Sequence, residues 1–269
     1  MPDLREVEVG TTVITAVPVA DVLEKPEEGV PRTTQLLMGW PAQVLGMEAD
    51  WLHIQAADGS PGWAKMDHFS LPPWPEQVSQ IKIRRATADL YLIPGVTAKK
   101  LCTLFLGSQL YLLEQREEYL KVVVPRGGTA FVHKEDVKIL ESNQLTKQKE
   151  GVLATAGLFI GSPYLWGGMT VQGIDCSGLT YMAYFANGYQ LPRNAEDQFK
   201  VGKPVDKADL QTGDLVFFST IDPGPSHVGI YQGDGLFLNA RTKQGVTTTS
   251  LDDDFFACRY LGARRYFDF

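Results

Sequence analysis

Short apolar runs separated by turn signals fill the first half of the chain, and their spacing repeats. Residues 42–45, 51–54, 110–113 and 120–123 have β character, and Asp58-Gly59 and Arg126-Gly127-Gly128 mark turns between strands. Ala20, Asp21, Pro26, Gly39, Trp51 and Trp63 are matched by Ala88, Asp89, Pro94, Gly107, Tyr119 and Phe131, each pair offset by 68 residues. A constant offset with chemically like residues marks a duplication and predicts two small β-barrels. Trp51, Trp63, Tyr119 and Phe131 are expected in the barrel cores. Leu71-Pro72-Pro73-Trp74-Pro75 predicts a stiff, extended linker between the copies. A polar stretch at 141–149 predicts a second boundary, giving domains 1–73, 74–145 and 146–269.

Beyond that boundary the period changes. Val152, Ala156, Phe159 and Ile160 lie at helical spacing, with Gly161 placed to end the helix. Leu179, Met182, Ala183 and Ala186 predict a second helix with Asp175 as its N-cap. Residues 214–218, 227–231, 236–240 and 246–249 then read as strands. Helices first and antiparallel strands after predict an α+β domain.

Composition narrows the partners. The 269 residues carry a net charge of −7, which argues against nucleic acid or an anionic membrane surface. No apolar run is long enough to span a bilayer, and the first residues lack the character of a leader. A cytoplasmic location is expected, with periplasmic or secreted as the alternative if a leader has been removed. Three cysteines are too few for a disulfide framework and suit a reducing compartment. No metal-ligand spacing and no glycine-rich phosphate loop occurs, so neither a metal nor another cofactor is expected.

Candidate chemistry centres on Cys176, delivered by a glycine-rich approach to the first turn of the second helix. A thiol there feels the positive end of the helix dipole, which favours thiolate. The alternative is a small buried cysteine filling a gap between helix and sheet. Of four histidines, His53, His68 and His133 belong to the barrels, and His227 alone shares the domain of Cys176. A cysteine nucleophile needs such a base, and the base needs an orienting acceptor. Asn239, polar within an apolar run on the next strand, fits that need, or else is a surface amide.

The pieces Tyr164-x-Trp166-Gly167-Gly168, Asp175-Cys176-Ser177-Gly178, Leu191-Pro192-Arg193, 213–218 and 227–231 keep a fixed order. In that order and spacing, residues 151–269 resemble the NlpC-type cell-wall cysteine peptidases, which have a compact papain-like fold. Asp58-Gly59-Ser60-Pro61-Gly62-Trp63 resembles the ending of bacterial SH3-like domains, and the second copy, ending at Phe131, is a weaker match. Together they are similar to the subgroup that releases dipeptides from murein peptides by cutting between γ-D-glutamate and an L-diamino acid. The architecture implied is multidomain: two SH3-like barrels followed by a papain-like peptidase domain, with peptidoglycan-derived peptides as partners.

The resemblance also implies roles. Cys176 would attack the γ-carbonyl, His227 would act as base and then acid, and the Cys176 N–H would hold the oxyanion beside Tyr164. Asp175, Ser177 and Trp166 would line the acyl pocket, while Asp214 is expected as a structural turn residue. Three positions depart from the family pattern. Asn239 stands where histidine is usual, Asn194 stands where an aspartate binds the free L-alanine amine, and Ser60 stands where a tyrosine closes the pocket. Asn194 has a plainer role as N-cap of the helix that follows, Ala195-Glu196-Asp197-Gln198. The departures at Asn194 and Ser60 imply altered selection on the L-Ala side. Two other classes stay open, a murein-peptide-binding protein without catalysis and a different acyl-transfer enzyme on this fold. Retention of both Cys176 and His227 counts against the first of these.

Overall fold

Alternation of buried and exposed side chains governs the first seven strands. They are β1 (Thr12–Thr15), β2 (Val19–Leu23), β3 (Arg32–Leu37), β4 (Pro41–Glu48), β5 (Trp51–Ala56), β6 (Pro61–Lys65) and β7 (Phe69–Ser70). In this computed structural model, which describes residues 4, 7–72, 79–95, 98–140, 147–221 and 224–267, they form one antiparallel sheet ordered β3-β2-β6-β5-β4-β1-β7. The next seven are β8 (Gln80–Ile83), β9 (Thr87–Tyr91), β10 (Lys100–Phe105), β11 (Gln109–Gln115), β12 (Tyr119–Val123), β13 (Thr129–His133) and β14 (Val137–Leu140). Their order, β10-β9-β13-β12-β11-β8-β14, repeats that of the first sheet strand for strand. The expected linker at 71–75 lies largely outside the described residues, as does 141–146 of the second boundary.

The chain divides into two compact units, 1–144 and 145–269, and both seven-stranded sheets belong to the first. Within that unit Trp40 is buried, and its indole N–H donates to the Gly107 carbonyl of the second repeat at 2.8 Å. Gly39 explains why the repeat keeps glycine there. Its φ is +85°, and a Cβ would stand 1.8 Å from the Gln109 carbonyl oxygen. The core of the second sheet is built by Leu120, Val122, Ala130 and Val132 with Ile81, Leu90 and Leu104. Tyr119 and Phe131 are buried too, but on the alternate face of their strands from that core. Trp51 is buried, whereas Trp63 is only partly so and stacks on His53 at 4.7 Å. Three of the four expected core aromatics are therefore buried, and Trp63 is the one that departs, partly exposed on its strand.

The second unit opens with helix α1 (Gly151–Gly157), which is shorter than its apolar spacing predicts. After Gly157 the chain continues in i→i−3 bonds, from Leu158 to Thr155 through Ile160 to Gly157, so Phe159 is buried but lies beyond the helix. A two-stranded ladder, β15 (Met169–Thr170) and β16 (Gly173–Ile174), leads into α2 (Cys176–Ala186), and α3 (Ala195–Val201) follows. The remaining strands are β17 (Lys203–Val205), β18 (Leu215–Phe218), β19 (His227–Gly233), β20 (Leu236–Arg241), β21 (Gly245–Ser250) and, after α4 (Asp254–Ala257), β22 (Tyr260–Arg265). They form an antiparallel sheet ordered β17-β22-β18-β19-β20-β21. Helix α2 packs against β19 and β20 and is buried from Cys176 through Tyr184.

Candidate active site

Asp175 builds the start of α2. Its backbone is extended, and its Oδ1 accepts the Gly178 N–H at 2.6 Å, capping the helix as expected. Its Oδ2 accepts the Gly167 N–H at 2.8 Å, which ties the glycine loop to the same carboxylate. Arg193 closes the arrangement with a bidentate pair, Nη1 to Oδ1 at 3.0 Å and Nη2 to Oδ2 at 2.8 Å. Arg193 also donates to Ser177 Oγ at 3.0 Å, and all three residues are buried. The Asp175 and Ser177 side chains are thus committed to protein partners. They shape the wall of the site.

Cys176 follows directly, at the first helical position. The backbone N–H groups of Val228 and Ser177 donate toward its sulfur. Because Val228 is the neighbour of His227, this contact sets the thiol beside the imidazole strand. His227 begins β19, opposite Phe218, with its ring 5.4 Å from that of Phe256. His227 Nε2 lies 3.0 Å from Asn239 Oδ1. Asn239 Nδ2 meanwhile donates to the Thr247 carbonyl at 3.2 Å and to Thr249 Oγ1 at 2.9 Å. A carbonyl only accepts, so the amide nitrogen must face Thr247 and Oδ1 must face the histidine. His227 Nε2 therefore carries the proton and donates, which leaves Nδ1 as the basic nitrogen. Asn239 is fully buried, so it is no surface amide.

Gly229, two residues after His227 on β19, lets the two strands approach closely. A Cβ there would stand 2.5 Å from Phe237 Cδ2, 2.8 Å from the Leu238 carbonyl oxygen and 3.1 Å from Asn239 Cβ.

Electrostatics reverse one expectation. Complete burial, with the Asp175 charge adding to it, pushes the Cys176 thiol up to about 12. Burial likewise holds His227 down to about 4, against the raising effect of its Asn239 hydrogen bond. Burial thus works against both the thiolate and the imidazolium, and so against the thiolate that the helix terminus alone predicts. Tyr164 is held well above its usual range by burial and by the nearby Cys176 and Asp175 charges, so it remains a phenol able to donate.

The other expected site residues scatter. Trp166 is 58% exposed on the glycine loop. Asn194 is exposed and is the N-cap residue of α3 as expected, with extended backbone and its carbonyl accepting the Gln198 N–H at 2.9 Å, but its side chain makes no cap bond. Ser60 belongs to the first unit, where it is buried at the β5–β6 turn and its N–H donates to Asp58 Oδ1 at 2.9 Å. Asp214 is structural as expected, fully buried and paired twice with Arg265 at 2.8 and 2.7 Å. Among the described residues no group of three or more His, Cys, Asp or Glu could hold a metal ion.

Two comparisons decide the family. Residues 161–265 match the model of the NlpC/P60 family, and residues 22–69 match the bacterial dipeptidyl-peptidase Sh3 domain. The "Gamma-D-glutamyl-L-lysine dipeptidyl-peptidase" of Bacillus subtilis is 31% identical over 245 residues, covering 87% of this chain and 81% of that protein. The chain belongs to the NlpC/P60 family. The Bacillus cereus protein of the same description is 30% identical, over 87% of this chain and 74% of its own length. A crystal structure of an NlpC/P60 family protein from Bacillus cereus superposes with a TM-score of 0.87 at 25% identity, covering 96% of this chain and all of the other.

Within this NlpC/P60 domain, residues that sequence reasoning passed over do much of the positioning. Gln198 is fully buried, accepts from Thr180 Oγ1 at 2.8 Å and donates to the Ser177 carbonyl at 3.2 Å, pinning the first turn of α2 to α3. The Arg193–Asp175 pair spans 18 residues of sequence, and its only prior signal was that both ends fall in recognisable motifs.

Proposed function

We propose that this protein is a cysteine endopeptidase that hydrolyses the γ-D-glutamyl–L-diamino acid bond of peptidoglycan-derived peptides. The observation that carries this reading is Cys176 at the buried start of α2, hydrogen-bonded from the Val228 N–H next to His227, with His227 Nε2 engaged by Asn239 so that its Nδ1 is the basic nitrogen. The names of relatives that match across both units supply the substrate class. A papain-like arrangement of helix and antiparallel sheet, behind two SH3-like barrels of equal strand order, is the architecture we assign.

His227 Nδ1 takes the Cys176 proton as sulfur attacks the γ-carbonyl carbon, and the carbonyl oxygen becomes an oxyanion. We assign the Cys176 N–H, a first-turn donor of α2, and the Tyr164 hydroxyl to receive that charge. Collapse breaks the C–N bond while the imidazolium returns its proton to the leaving amine. Water, deprotonated by His227, then cleaves the thioester and frees the dipeptide and the thiol. Asn239 keeps its neutral acceptor on Nε2 throughout.

Asn194 offers no charge for a free L-alanine amine, so we assign relaxed selection on that side. The free thiols of Cys102, Cys176 and Cys258 support a reducing, cytoplasmic setting for peptide recycling. Mass spectrometry of L-Ala-γ-D-Glu-diaminopimelate, with and without N-acetylation, tests the whole reading on wild-type and Cys176→Ala protein. Release of the dipeptide from both peptides by wild type alone is expected. Cleavage of the free-amine peptide alone would sink the relaxed-selection part. Turnover by Cys176→Ala would sink the mechanism.

A further inference from the structure

Arg241 ends β20 two residues beyond Asn239 and on the same face of the strand. Its guanidinium stands 5.0 Å over the Phe256 ring, and that ring lies 5.4 Å from the His227 imidazole. The cation is close enough to the base for its charge to disfavour imidazolium there. Arg193, Arg259, Arg264 and Arg265 in the same unit each donate to a protein oxygen. Among the described residues the Arg241 guanidinium has no oxygen partner, although the residue is partly buried. A partly desolvated cation without an anion is costly in the free protein and gains most when a ligand supplies one.

The reaction says which part of a ligand comes near. His227 returns a proton to the leaving amine, so the leaving diamino acid lies against the imidazole, beside Arg241. That residue carries an α-carboxylate when it is C-terminal, and a side-chain carboxylate when it is diaminopimelate. Mid-chain lysine carries neither. We propose that Arg241 is a specificity-determining residue that binds a carboxylate of the leaving diamino acid. The proposal rests on the bond assignment made above, and adds to it the chemistry that the enzyme selects on the leaving side.

Three peptides test it: L-Ala-γ-D-Glu-L-Lys-amide with no carboxylate on the leaving residue, the same peptide with a free C-terminus, and the diaminopimelate peptide amidated at its α-carboxyl. The readout is the ratio of kcat/KM for each carboxylate peptide to that for the lysine amide, in wild type, Arg241→Met and Arg241→Lys. Wild type should favour at least one carboxylate peptide by about tenfold or more, the range of a charge-assisted hydrogen bond. Whichever peptide is favoured identifies the carboxylate that is read. The ratio should collapse toward one in Arg241→Met and survive in part in Arg241→Lys. A wild-type ratio near one overturns the proposal without any variant, as does a preference that Arg241→Met retains. Turnover of all three at equal rates overturns this inference alone, whereas no turnover of any by wild type overturns the bond assignment with it.

Discussion

The rate at which Cys176 is alkylated, followed against pH, separates two resting states of the enzyme. A preformed thiolate–imidazolium pair would react at a nearly constant rate across neutral pH. The structure predicts the opposite. With the thiol at about 12 and the imidazole at about 4, moving the proton from sulfur to nitrogen is uphill by ~11 kcal/mol. Attraction between the resulting charges returns only ~4 kcal/mol at a separation of ~4 Å and an effective dielectric of ~20. The ion pair then lies roughly 7 kcal/mol above the neutral pair, a population of about one in 100,000. Proton transfer must therefore accompany attack on bound substrate. The assay is iodoacetamide labelling of Cys176, quantified by peptide mass spectrometry in a Cys102→Ser, Cys258→Ser background. The ion-pair population does not change with pH over this range, so the logarithm of the rate should be flat below about pH 7 and climb by about one per pH unit from about pH 7 to about pH 9, where thiolate formed by proton loss overtakes it. A plateau from about pH 7 to about pH 9 would refute the neutral pair and restore the thiolate that the helix terminus by itself implies.

Three further outcomes follow from the same site. Arg193→Met strands the Asp175 carboxylate in a buried wall and should cost about 3–5 kcal/mol in denaturant unfolding, with Asp175→Asn added to it recovering part of the loss. Gly229→Ala forces a methyl against the Phe237 ring and the Leu238 carbonyl, so thermal stability should fall by ~1–3 kcal/mol and kcat should fall more than KM changes. His227 is depressed in the fold, so its contribution is complete above the unfolded value of 6.5 and is lost as pH falls toward about 4. That loss amounts to ~3 kcal/mol, and equilibrium unfolding of a His227→Gln variant should lack it.

The proposed nucleophile, base and orienting amide were legible because each left a one-dimensional mark. Cys176 sits in a contiguous motif, His227 is the single histidine of its domain, and Asn239 interrupts an apolar run. What stayed hidden was set by tertiary burial or by distant pairing. The dipole at the start of α2 is a local property, but the burial that overrides it comes from the sheet packed on the helix. β22 is mostly half-exposed and has no clean alternation, yet it joins β17 to β18 and delivers Arg265 to Asp214. Asn194 has a capping residue's identity and position, but α3 closes its first turn through the Asn194 carbonyl to Gln198, so the side chain stays outside. In the first unit the duplication was plain from six matched positions, whereas which face of each strand of the second sheet points inward was not, because the bulky Tyr119 and Phe131 alternate with the residues of its core cluster.

Asp175 and Arg193 show how one charge is made tolerable next to a nucleophile. The carboxylate is needed twice over, as cap for Gly178 and as anchor for Gly167, and a neutral residue would satisfy those donors less strongly. Yet its charge opposes the thiolate that Cys176 must become. Arg193 answers with both of its terminal nitrogens on the two carboxylate oxygens, and its own field favours the thiolate. The net field at sulfur is thereby reduced while every loop anchor is kept. Arg193→Lys separates these two duties, because a single ammonium retains the charge and loses the fork. Its alkylation profile should stay close to wild type while turnover falls, since Arg193 Nη2 also donates to the Gly168 carbonyl at 3.4 Å and that second hold on the glycine loop is lost with the fork. If alkylation and turnover instead fall together, the charge and the geometry are not separable, and Arg193 acts on the nucleophile chiefly through position.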